Sequence, residues 1–123
     1  VDIFALLVLA KYIAGKESPP DMPTYYATFA NAGAEVPGIV RAPFYLADPD
    51  VISDTEILLS NETPISIDTP DGTADEVWVY DAASGGNRWF KEPITGGPIT
   101  LVDGGNKTFA VGDFSHTIEA LAA

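Results

Sequence analysis

Eighteen Asp and Glu residues and a single histidine are where this sequence holds its chemistry. Two carboxyls at a fixed separation can hydrolyse a glycosidic bond, but a sequence does not supply that separation. Carboxylates joined by turn carbonyls can also surround calcium, which takes about six to eight hard oxygens. Two loops have this composition: DPDVISD, with Asp48, Asp50 and Asp54, and DTPDGTADE, with Asp68, Asp71, Asp75 and Glu76. The second is the better calcium candidate. Neither has EF-hand spacing, and Asp and Gly are also what ordinary turns prefer. Ser115 and His116 follow Asp113, nominally the three members of a nucleophilic triad. Neighbours on one strand or helix do not face each other, so His116 reads as a surface histidine. There is no cysteine, which removes disulfides, zinc–thiolate sites and cysteine nucleophiles. No catalytic residue is assigned. The expectation is a protein that is not an enzyme, with calcium as the one candidate cofactor.

The aromatic residues offer a second kind of chemistry. Trp78, Tyr80, Trp89 and Phe90 fall within EVWVYDAASGGNRWFKE. On an alternating strand Trp78 and Tyr80 share one face while Val77 and Val79 take the other. If the valines point inward, Trp78, Tyr80 and Trp89 form a platform for a carbohydrate or a protein. If the aromatics point inward, they fill the core, which is the expected arrangement. Asn61-Glu62-Thr63 and Asn106-Lys107-Thr108 match the N-glycosylation pattern, a motif that matters only in a eukaryotic secretory route.

These residues belong to 123 in all, enough for one hydrophobic core. The formal charge of −12 repels phosphate backbones and anionic lipid, so neither nucleic acid nor a membrane surface is an expected partner. It suits a basic partner or cations. Eleven glycines and ten prolines point to many turns and short strands.

The elements that position everything else begin with DIFALLVLAKYIAGKE. Asp2 can cap a helix, Ala, Leu and Lys sustain it, and Gly15 with Pro19 and Pro20 ends it. Ile3, Phe4, Leu6, Leu7, Val8 and Leu9 leave no polar face in its first two turns, so something must surround it. Hiding six such side chains contributes on the order of 10 kcal/mol before entropic costs. The apolar run is too short to span a bilayer, which takes roughly 20 residues, and Asp2 stands where a signal peptide carries a basic residue. Val1 is small enough to follow a trimmed initiator Met, so the chain is expected to be close to a complete gene product.

Pro19, Pro20 and Pro23 then make a stiff linker, and TYYATF reads as a first strand. Further strands are expected in GIVRAPFYL, at an edge because of Pro43, and in DTEILLS and PISID. Two hairpins are expected: Glu76 to Glu92, and PITLV–DGGN–KTFAV. SHTIEALAA reads as one or two helical turns capped by Ser115, or as a tail. The predicted fold is mainly β, an antiparallel sandwich or small barrel of jelly-roll or Ig-like type, with a short apolar N-terminal helix. Residues 1–16 form the helix, 17–37 the linker and first strand, and 38–123 the β domain.

The stretch ALLVLAKYIAGK, Ala5 to Lys16, resembles the apolar helix closing on a Lys-Tyr pair that begins many small tail, baseplate or head-decorating proteins of bacteriophages. Those proteins often double the lysine; this chain has Lys11 alone before Tyr12. The resemblance implies a virion structural protein without catalytic residues. The composition of the helix leads to a similar expectation, a structural or assembly protein that oligomerises or docks through Ile3, Phe4, Leu6, Leu7, Val8, Leu9, Tyr12 and Ile13; the resemblance implies other virion proteins as the partners in docking. One alternative is an extracellular carbohydrate- or surface-binding sandwich using Trp78, Tyr80 and Trp89. Another is a pilin-like filament subunit, although its helix is short for that role.

Overall fold

The computed structural model describes residues 3–14, 24–53 and 55–119, without the side chains of residues 3–5. Among the described residues one helix, α1 (Ile3–Ala14), precedes twelve strands: β1 (Tyr25–Asn31), β2 (Ala34–Glu35), β3 (Ala42–Phe44), β4 (Asp50–Val51), β5 (Glu56–Ser60), β6 (Ile65–Thr69), β7 (Gly72–Ala74), β8 (Glu76–Tyr80), β9 (Arg88–Pro93), β10 (Ile99–Leu101), β11 (Gly105–Phe109) and β12 (Ser115–Glu119). The fold is mainly β and sandwich-like. Every strand pairing is antiparallel, and no sheet closes into a barrel among the described residues. The expected Asp2 cap, Gly15 stop and proline linker, together with Asp54, lie outside the described residues.

Two compact units divide the chain, and neither is continuous in sequence. The first takes Val1–Pro23, Tyr45–Thr63 and Ala110–Ala123. Its sheet runs β12-β5-β4, and α1 packs on β5. Burial alternates along β5, with Ile57 and Leu59 buried and their neighbours half-exposed. SHTIE is the strand β12, not a helical turn; it pairs with β5 from Ser115↔Ser60 to Glu119↔Glu56. Thr117 and Ile118 are β-branched, and pairing with β5 satisfies backbone groups that a single helical turn leaves open.

The second unit takes Thr24–Phe44 and Pro64–Phe109. Its main sheet runs β2-β1-β8-β9, with β3 also on β1. Central β1 is buried from Ala27 to Ala30, and Ala27 and Phe29 pair with Val79 and Val77. Strand β6, with Ile65 and Ile67 fully buried, packs on β1 and β3, and Phe109 of β11 meets Phe29 at 6.2 Å between ring centroids. Pro43 sits in the short β3, as a strand off the main path allows.

The expected PITLV–DGGN–KTFAV hairpin does not form. β10 pairs with β7 and β11 with β6, so residues 65–74 and 99–109 run as one antiparallel ribbon with a break in it. Pro70 has no N–H to give the ladder, and the opposite strand loops out at Val102 to Gly104. Side chains close the gap: Thr69 Oγ1 donates to the Val102 carbonyl at 2.8 Å, and Asp71 Oδ1 accepts the Asp103 N–H at 2.9 Å. A Cβ on Gly105 would stand 2.8 Å from Thr69 Oγ1, which explains a glycine at that point.

Candidate functional site

Helix α1 has two apolar faces in different situations. Leu6, Ala10, Ile13 and Ala14 are buried, at the i, i+4, i+7, i+8 spacing of one helical stripe. On the other side Val8, Leu9 and Tyr12 are 59%, 50% and 66% exposed, with Lys11 exposed beside them. Leu7 is half-buried between the two, and the side chains of Ile3 and Phe4 are outside the described residues. Of the residues expected at an interface, Leu6 and Ile13 therefore belong to the core of the first unit. Val8, Leu9 and Tyr12 form an outward stripe.

The strand under the helix is fastened by a residue that the sequence reading took for a glycosylation match. Asn61 is fully buried; its Nδ2 donates to the Thr63 and Ala110 carbonyls at 2.9 and 3.0 Å, and its Oδ1 accepts the Phe114 N–H at 3.0 Å. Its own backbone joins Phe114 O and Gly112 N at 3.2 and 3.1 Å. One amide thus ties the end of β5 to the approach of β12. Asn106, the other match, is exposed on β11, where its Nδ2 donates to Ser66 Oγ and Asp68 Oδ1.

On the β8–β9 hairpin Val77 and Val79 are buried on the face they share with Phe29. Trp78 and Phe90 are buried as well, as expected of aromatics that fill the core, whereas Tyr80 is half-buried and Trp89 exposed. Trp78 and Tyr80 lie on the opposite face, yet they are no open platform. Trp78 is only 6% exposed, donates through Nε1 to Glu76 at 3.2 Å, and carries the Arg88 guanidinium 4.4 Å above its ring. Arg41 lies 3.6 Å from the Tyr80 ring centroid. Such pairs are cation–π contacts. Trp89 is separated from both by the bulge at Val79/Tyr80: it meets Tyr25 edge-on at 6.3 Å, on the side that Phe44 and Phe90 also line. The three aromatics expected to act together are split between two faces.

Arg41 is the residue that sequence reasoning missed. Its side chain is 7% exposed and clamps Glu35 through two bonds, Nε to Oε2 at 3.1 Å and Nη2 to Oε1 at 3.0 Å. Nη1 donates to the Ala82 and Gly85 carbonyls at 2.9 and 2.8 Å, so the guanidinium also holds the hairpin loop. These bonds lower the Glu35 pKa and raise that of Arg41. Within the same loop Asp81 accepts the Asn87 N–H at 2.9 Å and the Trp89 Nε1–H at 3.2 Å, and its carboxyl is held below the usual range by them, the Asn87 bond first. Gly86 has φ +73°, and a Cβ there would stand 2.5 Å from Asp81 Oδ1; only glycine fits that turn. The signal for Arg41 was scarcity, since it is one of six basic residues among eighteen acids.

The four calcium candidates are engaged one by one. Asp68 accepts from Asn106, Asp71 from the Asp103 N–H, Asp75 from the Ala32 N–H and Glu76 from the Trp78 indole. Among the described residues no three acidic or histidine side chains gather as metal ligands. An open groove of about 460 Å³ brings Asp68 and Asp103 to one rim with Thr69 and Pro70, without Asp75 or Glu76. Asp48 and Asp50 are exposed near β4, and Asp54 is outside the described residues. Asp113 accepts the Ala110 N–H, while Ser115 and His116 are successive residues of extended β12 and point to opposite faces. No helix among the described residues is long and apolar enough to cross a membrane. The sequence matches no protein-family model and no curated protein.

Proposed function

We propose that this chain is a non-enzymatic structural or assembly protein, attached through the outward stripe of α1 and presenting an acidic antiparallel β fold. The observation that carries this is the two-sided helix: one apolar stripe is spent on the chain's own core, and a second, Val8–Leu9–Tyr12, stays exposed. Exposed apolar stripes of this kind cost solubility unless a partner covers them. The resemblance of Ala5 to Lys16 to small bacteriophage structural proteins supports a virus particle as the assembly, with the chain as a tail, baseplate or head-decoration component. Sugar stacking on Trp78, Tyr80 and Trp89 has less support, because arginines cover the first two and the third lies on another face.

Deleting the helix is a poor test, since Leu6, Ala10, Ile13 and Ala14 would go with it. The test is a full-length chain carrying Val8→Asp and Leu9→Asp, compared with the parent for retention on a phenyl matrix. Earlier elution with an unchanged circular dichroism spectrum is expected. Equal retention would mean that the stripe is not a sticky surface, and the proposal would fall.

A further inference from the structure

We propose that Asp103 is a site of spontaneous modification, at which its side-chain carboxyl closes on the Gly104 nitrogen to give a succinimide and then isoaspartate. The modification is independent of attachment through α1.

The chain holds two Asp-Gly pairs, Asp71-Gly72 and Asp103-Gly104. This cyclisation is easiest before glycine, which puts no Cβ in the way of the attacking nitrogen. In an unfolded chain the two pairs are near equivalents. The fold sets them on opposite sides of the break between the β6–β11 and β7–β10 pairings and restrains only one of them.

Asp71 is held in both of the groups that must meet. Its Oδ1 accepts the Asp103 N–H at 2.9 Å, so the carboxyl turns on its neighbour only by giving up a charge-assisted bond. Gly72 is paired with Leu101 in β7, and a Cβ on it would stand 3.6 Å from Val36. Asp103 is held in neither group. It is exposed on the rim of the 460 Å³ groove, and its carboxyl accepts no hydrogen bond among the described residues. Asp103 and Gly104 are the two middle residues of a turn closed by the Gly105 N–H on the Val102 carbonyl at 2.9 Å. The Gly104 N–H between them has no partner among the described residues. Gly104 has φ +78° and open space where a Cβ would stand. The peptide plane can therefore rotate until its nitrogen meets the side chain.

The reaction needs only water. The Gly104 nitrogen bonds to Cγ of the protonated Asp103 carboxyl; the hydroxyl and the nitrogen's proton leave as water, and a five-membered imide remains. Water then opens the imide at either carbonyl. Opening at Cγ restores aspartate. Opening at the backbone carbonyl leaves the main chain running through Cβ and Cγ, with the α-carboxylate free. The turn that bridges the break then carries one more main-chain carbon, which disrupts the Gly105–Val102 bond and displaces the carboxylate on the groove rim.

The test is ageing of the full chain in warm, mildly acidic buffer, with and without denaturing urea. Isoaspartate is then labelled by a protein-isoaspartate carboxyl methyltransferase with a labelled S-adenosylmethionine, and the label is mapped by trypsin and electron-transfer fragmentation. Asp103 is the one aspartate of the tryptic fragment 92–107, and Asp71 falls in fragment 42–88. In the folded chain the label should collect at Asp103, and Asp71 should lag by roughly tenfold or more, because its charge-assisted bond must open first. In urea the two should react at similar rates. Asp103→Glu, whose longer side chain does not form the five-membered ring, should lose the label from 92–107 and keep it at Asp71 in urea. Equal rates at Asp71 and Asp103 in the folded chain would overturn the proposal. So would label that survives Asp103→Glu in 92–107, or an Asp103 that reacts in urea and not in the folded chain.

Discussion

On the β8–β9 hairpin, Arg41 lies over Tyr80 and Arg88 over Trp78; on α1, Val8, Leu9 and Tyr12 stay exposed. Both elements carry apolar side chains on two faces, and in both the first face is core. They differ in how the second face is treated. The hairpin belongs to the unit with both arginines of the chain, and each arginine covers an aromatic ring. The helix belongs to the unit with two lysines and no arginine. A guanidinium is planar and weakly hydrated and lies flat on a ring, whereas an ammonium is a compact, strongly hydrated charge. On the function proposed above, two-faced apolar character is read as a docking surface only where no internal group covers it.

The contrast can be broken first at Arg41. Arg41→Ala removes the cover of Tyr80 and leaves the Glu35 carboxylate and the Ala82 and Gly85 carbonyls without their donor, at a cost of about 2–3 kcal/mol in urea unfolding. Arg41→Lys should recover only part, because a lysine cannot make the two-pronged contact. The loss should also depend on pH. Glu35 titrates below its ordinary 4.5 because of Arg41, so the pair's contribution is complete above about that value and fades as pH falls through the lowered folded one. In Arg41→Ala that part of the acid limb should be flat. An unchanged acid limb would show that the clamp does not act in solution.

A smaller effect is expected at Arg88, which is exposed. Arg88→Ala should cost about 0.5–1 kcal/mol and shift Trp78 fluorescence to the red as water reaches the ring. A ring that stays dry would mean that packing alone covers Trp78, and the hairpin would then differ from the helix for a reason other than its arginines.

Much of the fold was legible because it depends on local pattern. The alternation in EILLS and ISID, the paired glycines of SGGN and the apolar run of α1 each follow from the period of one element. What was not legible depends on partners distant in sequence. DGGN looks like a hairpin turn until Pro70, more than thirty residues earlier, interrupts the strand opposite. SHTIE looks like a helix start until β5 offers it an edge. The site was legible to the same degree. An apolar helix can be read from composition, but which of its faces is free depends on β5 and the loops that Asn61 ties together. For the same reason Leu6 and Leu9 cannot be told apart in the sequence.

Those two leucines give the most direct measurement. Leu6→Ala and Leu9→Ala remove the same atoms from the same helix, three positions apart, and their stabilities can be compared by urea unfolding. Leu6 is 5% exposed and Leu9 50%, so Leu6→Ala should cost about 2–5 kcal/mol and Leu9→Ala no more than about 0.5 kcal/mol. Equal losses would mean that both faces of α1 are buried in the chain's own fold, leaving no free stripe for a partner.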